Sequence, residues 1–223
     1  MMRWFAVPER LCMLFSDPAG SPAETLVTEW RDYPQWHRGR QRYGVWLAPV
    51  DDPALLGCIA EARRQLADLI HPDTQRQPHL TVFVCGFEAA TCVANDDFSP
   101  AQRQRQIALL TAARGRACTL PLGRADSFAS AAFLPVGDPD GRLQGWRDAL
   151  AGASIEVRQQ DYVPHITLGL YRRRVSAAVI RQRLAAIAAP TTPLRVRELH
   201  YATYDAQELL GPLTCRHRVL LGD

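Results

Sequence analysis

Two short stretches hold the residues best suited to chemistry, Pro78-His79-Leu80-Thr81-Val82 and Pro164-His165-Ile166-Thr167-Leu168. Each sets an imidazole and a hydroxyl two positions apart in an apolar run. Side chains alternate along a strand, so each His and its Thr share one face, about 7 Å apart, while the apolar residues face a core. A buried polar group without a partner is costly. The pairs are therefore either well bonded inside a core or open on a cleft. With 6 histidines and 12 threonines in 223 residues, chance supplies roughly 0.3 His-x-Thr triplets. Two occur, both after proline and both in apolar strands. The histidines at 37, 71, 200 and 217 have no Ser or Thr two residues on.

Breaking a phosphodiester needs a base to activate water and an acid to protonate the leaving oxygen. Histidine serves either role near neutral pH. The threonines can donate hydrogen bonds to non-bridging phosphate oxygens. No metal and no cofactor are needed, and His71, Asp73 and His79 match no strong metal signature. Arg76, just before the first motif, and Arg172, in the Arg172-Arg173-Arg174 run after the second, are candidate phosphate contacts. A solvated turn is the plainer account of most of that run. Tyr171, six residues after His165, lies on the motif face. It could then stack on a base or simply close the core. Phe83, the i+4 position of the first strand, reads as core.

The paired PHLTV and PHITL motifs, the opening RYGVWLAPVDDPALL and the order of elements resemble the 2H phosphoesterase superfamily. That group includes bacterial 2'-5' RNA ligase-like proteins and RNA 2',3'-cyclic phosphodiesterases. The resemblance covers roughly 42–223. It implies an α+β bilobal fold, with two pseudo-symmetric lobes of mostly antiparallel sheet flanked by helices around a central cleft. It also implies metal-independent hydrolysis of 2',3'-cyclic or 2',5'-linked phosphodiesters, with His79, Thr81, His165 and Thr167 catalytic, His79 as acid and His165 as base. The expected partner is an RNA 3' end or a cyclic nucleotide. Two alternatives remain: a binding module of the same fold without turnover, and 2'-5' RNA ligation, which runs the same groups in reverse.

The elements that position the motifs are legible in outline. RYGVWLAPV (42–50) reads as a strand. Asp52 and Pro53 then start a helix with Leu55, Leu56, Ile59, Leu66, Leu69 and Ile70 on one stripe, ending at His71-Pro72. Residues 78–87 are a strand, and Ser99-Pro100 opens a helix. TLPL and SFASAAFLPV are strands, and DPDG leads into a helix with Leu143, Trp146 and Leu150 on one side. SIEVRQ (154–159) and VPHITLGLY (163–171) are strands, Ser176 caps a helix reaching Pro190, and 194–205 and 213–221 close the chain as strands. The helix and Pro-His strand repeat 86 residues apart. Residues 1–40 form an N-terminal extension, anchored by Trp30, Tyr33 and Trp36, and 41–223 form the two-lobed domain.

Apolar content of 47% and charged content of 22% fit an ordinary globular protein. The net charge is +3, and all basic residues are arginine, so only local clusters point to anions. No apolar run approaches the ~20 residues of a membrane span. The apolar start, broken by Pro8-Glu9-Arg10, does not read as a signal peptide. Six cysteines without C-x-x-C spacing read as reduced thiols of a cytoplasmic protein. The expected state is a monomer.

Overall fold

The computed structural model describes residues 14–17, 20–72, 75–113, 115–157 and 161–222. The first half holds α1 (Pro34–His37), β1 (Arg42–Pro49), α2 (Pro53–Gln65), β2 (His79–Glu88), β3 (Asp97–Phe98), α3 (Pro100–Ala112), β4 (Cys118–Leu120) and β5 (Asp126–Ser127). The second holds β6 (Ala131–Pro135), α4 (Arg142–Ala151), β7 (His165–Leu170), α5 (Ala177–Ala186), β8 (Leu194–Val196), β9 (Glu198–Asp205) and β10 (Thr214–Leu220). The main sheet runs β10-β9-β1-β2-β7-β6-β5, with β3 alongside β2, and β4 pairs with β8 in a small second ladder. Apart from the parallel β2–β3 contact, the ladders are antiparallel. The class is α+β, as the resemblance implied.

The two halves meet in this one sheet. β2 and β7 pair at a single register point, Leu80 opposite Ile166. On either side of that seam the local pattern repeats. Pro49 lies opposite His79 and Leu47 opposite Thr81, while Pro135 lies opposite His165 and Phe133 opposite Thr167. Val50 N donates to Pro78 O at 3.2 Å, and Val136 N donates to Pro164 O at 2.9 Å.

One sheet face buries Trp46, Ala48, Leu80, Val82, Ile166 and Leu168 in a core shared with residues of α2, α3, α4 and α5. The helices supply it because their apolar residues recur every three or four positions, as Leu143, Trp146 and Leu150 do. The first turn of α2 is fixed by the Asp52 carboxylate, which accepts from Ala54 N at 2.9 Å and Leu55 N at 3.2 Å. α3 begins with a full capping box between Ser99 and Gln102. The opposite face carries a smaller cluster of Tyr43, Val45, Leu47, Phe87, Ala202, Tyr204 and Ala206. It also carries the motif side chains.

Several element assignments change. Residues 194–205 divide into β8, paired with β4, and β9, paired with β1, and the chain turns back between β5 and β6 instead of running as one strand. α2 stops at Gln65, and a tighter turn carries Leu66 and Leu69 into the core before Ile70 bridges to Tyr171. α5 ends at Ala186 rather than Pro190. Residues 154–157 form no strand; Val157 N reaches Val84 O at 3.1 Å, but Glu156 turns its carboxylate to Val84 N instead of extending a ladder. The remainder of SIEVRQ, with Cys12 and Asp73, lies outside the described residues. In the extension, Phe15 is buried, and Thr25, Leu26 and Thr28 donate backbone bonds to Val175, Ala129 and Tyr171 at 2.7–2.9 Å. Trp36 packs on Tyr43 and Phe87, whereas Trp30 is 45% exposed, edge-on to His71.

Candidate active site

In an antiparallel pair, residues directly opposite share a face, so stepping outward from Leu80–Ile166 sets His79 opposite Thr167 and Thr81 opposite His165. The four side chains occupy the face that Leu80 and Ile166 leave. Opposed Cβ atoms on such a face lie about 4.5–5.5 Å apart and diagonal neighbours roughly 7–8 Å. The two imidazoles form the diagonal, a span one phosphate group bridges. The two histidine strands do not face each other across a cleft between lobes, as two facing lobes would require, because they are joined edge to edge in one sheet. The strands are neighbours at the seam, and the site is the sheet surface above it.

Both rings are held alike. His79 Nδ1 bonds Gln77 O at 2.7 Å, and His165 Nδ1 bonds Val163 O at 2.7 Å. A carbonyl only accepts, so Nδ1 carries the proton in each ring, and Nε2 of the neutral imidazole is the basic nitrogen.

The surroundings differ. His79 is half-buried, and the protein packed around its ring pushes its pKa down to about 4. Desolvation is the main cause, opposed by the Gln77 carbonyl and reinforced by the charges of Arg76, His165 and Arg63. Arg76 stacks on the Tyr204 ring at 4.0 Å and donates to Leu209 O at 2.7 Å. Its Nε is buried without a hydrogen-bond partner among the described residues, and burial lowers its pKa. Against His165 lie two rings, Phe128 edge-on at 5.1 Å and Phe133 at 5.2 Å, themselves stacked at 4.3 Å.

Each motif strand then breaks its alternation. Thr81 opposes Leu47 and Phe83 opposes Trp46, so Val82 is an extra residue; likewise Thr167 opposes Phe133 and Gly169 opposes Ala132, so Leu168 is extra. A bulge of this kind moves the side chains that follow it to the other face, in β2 until a second bulge at Cys85 restores the alternation and returns Phe87 to the motif face. Phe83 is thereby buried in the helix-side core, as read from sequence. Tyr171 is as well, which corrects its candidacy as a base-stacking residue: it is 0% exposed, and its hydroxyl bonds Ser127 Oγ at 2.7 Å. Gly169 follows from the same geometry, because a Cβ there would meet Ile70 Cδ1 at 2.6 Å. Tyr171→Phe should therefore cost about 1 kcal/mol of stability through the lost hydrogen bond and leave KM unchanged, as denaturant unfolding and steady-state kinetics would report.

Arg172 also departs from its expected place. It is exposed and donates to Ala67 O at 3.4 Å and Asp68 O at 3.3 Å, against the chain that follows α2. Arg173 pairs with Asp68 and Arg174 with Glu24, so the whole run is spent on surface contacts. Of the three candidate substrate residues, only Arg76 stands beside the histidines. Sequence reading missed Tyr204, Phe128 and Phe133. For Phe133 a signal existed, because it stands 86 residues after Leu47, as His165 does after His79.

A sheet whose two central strands each present a His-x-Thr pair is the architecture of the 2H phosphoesterases. A profile of the 2'-5' RNA ligase superfamily matches residues 49–208, and the chain belongs to that superfamily, whose members act on phosphodiester bonds. Escherichia coli LigT, solved in complex with 3'-AMP, aligns with a TM-score of 0.54 and 19% identity over 82% of this chain and 99% of its own. A conserved protein of unknown function from Agrobacterium tumefaciens aligns with a TM-score of 0.59 and 13% identity over 97% of this chain and 100% of its own. At such identities the likeness is one of fold. Among curated proteins none matches. No helix among the described residues is long and apolar enough to cross a membrane.

Proposed function

We propose that the protein is a phosphodiesterase that opens 2',3'-cyclic phosphates, or cleaves 2',5'-phosphodiesters, on RNA ends or nucleotides by two-histidine acid–base catalysis. The observation that carries this reading is the cross-strand quartet of His79, Thr81, His165 and Thr167, with both imidazoles locked in the same tautomer. A pure binding site has no need of two titratable rings so held. The 3'-AMP in the LigT complex lends support, since a nucleoside monophosphate is what such a reaction leaves.

His79 is the base and His165 the acid, the reverse of the polarity the resemblance implies. A ring desolvated and depressed by the nearby charges of Arg76, His165 and Arg63 is neutral at neutral pH and holds a lone pair on Nε2. Water attacks phosphorus while His79 Nε2 takes its proton, and the P–O bond to the ribose breaks as His165 Nε2–H protonates the leaving oxygen. Thr81 and Thr167 donate to the non-bridging oxygens, and the Arg76 guanidinium offsets their charge. His79 ends protonated and His165 neutral, and exchange with solvent resets the pair. The reaction calls on no metal or cofactor and suits a cytoplasmic monomer.

The experiment is turnover in EDTA of a 2',3'-cyclic nucleotide, an RNA ending in a cyclic phosphate and a 2',5'-linked dinucleotide. Binding without turnover on all three favours the binding module, and joining of RNA ends under the same conditions favours the ligase. The pH profile of a variant that keeps only one of the two groups tests the polarity. In His165→Ala, where His79 is left as the base, the residual kcat/KM should rise as pH climbs through the His79 pKa and then hold level. If His79 were the acid, the residual activity of His165→Ala would fall over that same range.

A further inference from the structure

The bulges at Val82 and Leu168 each free a carbonyl from the ladder, and an arginine from the opposite half takes each one. Arg63, on α2 of the first half, donates from Nε to Leu168 O of the second at 2.9 Å. Arg147, on α4 of the second half, donates from Nη1 to Val82 O of the first at 2.6 Å. Val82 and Leu168 are the third residues after His79 and His165, so the two bonds are related by the same internal repeat.

These bonds stand where the sheet is weakest. β2 and β7 share one register point, and beyond it this edge of β2 is satisfied by side chains and by Val157 N, which donates to Val84 O at 3.1 Å. Tyr162 Oη donates to Thr81 O at 2.7 Å, and Glu156 Oε1 accepts from Val84 N at 2.9 Å. Arg147 lies over the Tyr162 ring at 3.6 Å and pairs with Glu156 at 2.7 Å. Arg63 is largely desolvated, which lowers its pKa, a cost a surface arginine avoids.

We propose that Arg63 and Arg147 are positioning residues that staple the two histidine strands across their seam and so set the spacing between His79 and His165. The catalytic consequence rests on the two-histidine reading above; the staple itself does not. With both bonds made, the imidazoles are fixed about one phosphodiester. With either lost, the strands are free to part along an edge that carries almost no ladder.

The test compares Arg63→Met and Arg147→Met with Arg63→Lys and Arg147→Lys on a 2',3'-cyclic nucleotide. Because Arg147→Met also breaks the Arg147–Glu156 ion pair, Arg147→Met is also made with Glu156→Gln, which keeps an oxygen for Val84 N. A displacement of about 1 Å costs on the order of 100-fold, so kcat should fall by about that factor with KM little changed. The lysine variants, which keep one donor, should recover most of it. In a His79→Ala background, Arg63→Met should add no further loss. Independently of turnover, ring NMR should show His165→Ala raising the His79 titration in otherwise wild-type protein, and raising it less in either Met variant. A wild type without turnover sinks the phosphodiesterase reading alone, because the NMR comparison still decides the staple. Unchanged kcat together with an unchanged histidine coupling overturns the staple, as does a loss that tracks Tm and is equal in the Met and Lys variants.

Discussion

His79→Ala and His165→Ala should each lower turnover of a 2',3'-cyclic nucleotide by about 10²- to 10⁴-fold, the range for a general acid or base, with KM changed far less. The double variant should be little worse than either single one, because groups acting in one proton relay are not additive. Neither substitution should unfold the protein. Both rings stand on the sheet face away from the helix-packed core, and their bonds are to local carbonyls two residues back. His79→Ala also removes a neutral ring that folding holds below its ordinary pKa, so the variant should keep more stability than wild type as pH falls from about 6.5 toward about 4. The sign follows because the unfolded chain binds a proton there that the folded ring refuses. Rates and unfolding curves on the same preparations separate the two effects. Single variants near wild-type activity would remove the mechanism.

Arg76→Met should raise KM by roughly 10- to 100-fold, corresponding to about 1.5–3 kcal/mol for a hydrogen bond to a charged group, and should leave Tm unchanged or higher. A buried guanidinium with an unpartnered Nε contributes little to stability and costs desolvation. Methionine keeps the apolar contact with Tyr204 and gives up the charge. The same change removes one of the charges that depress His79, so the acidic limb of kcat/KM should move upward. A purely structural Arg76 predicts the opposite pairing, a lower Tm with KM intact. Differential scanning calorimetry and steady-state kinetics distinguish the two directly.

Much of the candidate site is legible before any fold is known. The doubled Pro-His-apolar-Thr motif named the four central residues, since a polar pair recurring on one face of an apolar strand has few structural reasons to exist. Strand and helix assignments around it followed from alternation, capping and proline. The two misplaced candidates have different causes. Tyr171 was placed on the motif face by counting in twos, and the extra residue at Leu168 shifted that count by one. Val82 does the same to Phe83, where the core assignment was right even though the simple alternation was not. Arg172 was chosen for nearness in sequence, but the chain after β7 turns toward the end of α2 and takes its side chain along.

By itself, then, the sequence determined the class of fold, the two strands that matter and the residues able to move protons, because periodicity and motif chemistry are local properties. Only the tertiary structure decided how those strands meet. It set His79 beside Thr167, gave one imidazole guanidinium neighbours and the other aromatic ones, and recruited Arg63 and Arg147 from helices that precede the strands whose partners they hold. Those outcomes depend on strand register, bulges and burial. Each is a relation between residues far apart in the chain, for which single-strand patterns carry no signal.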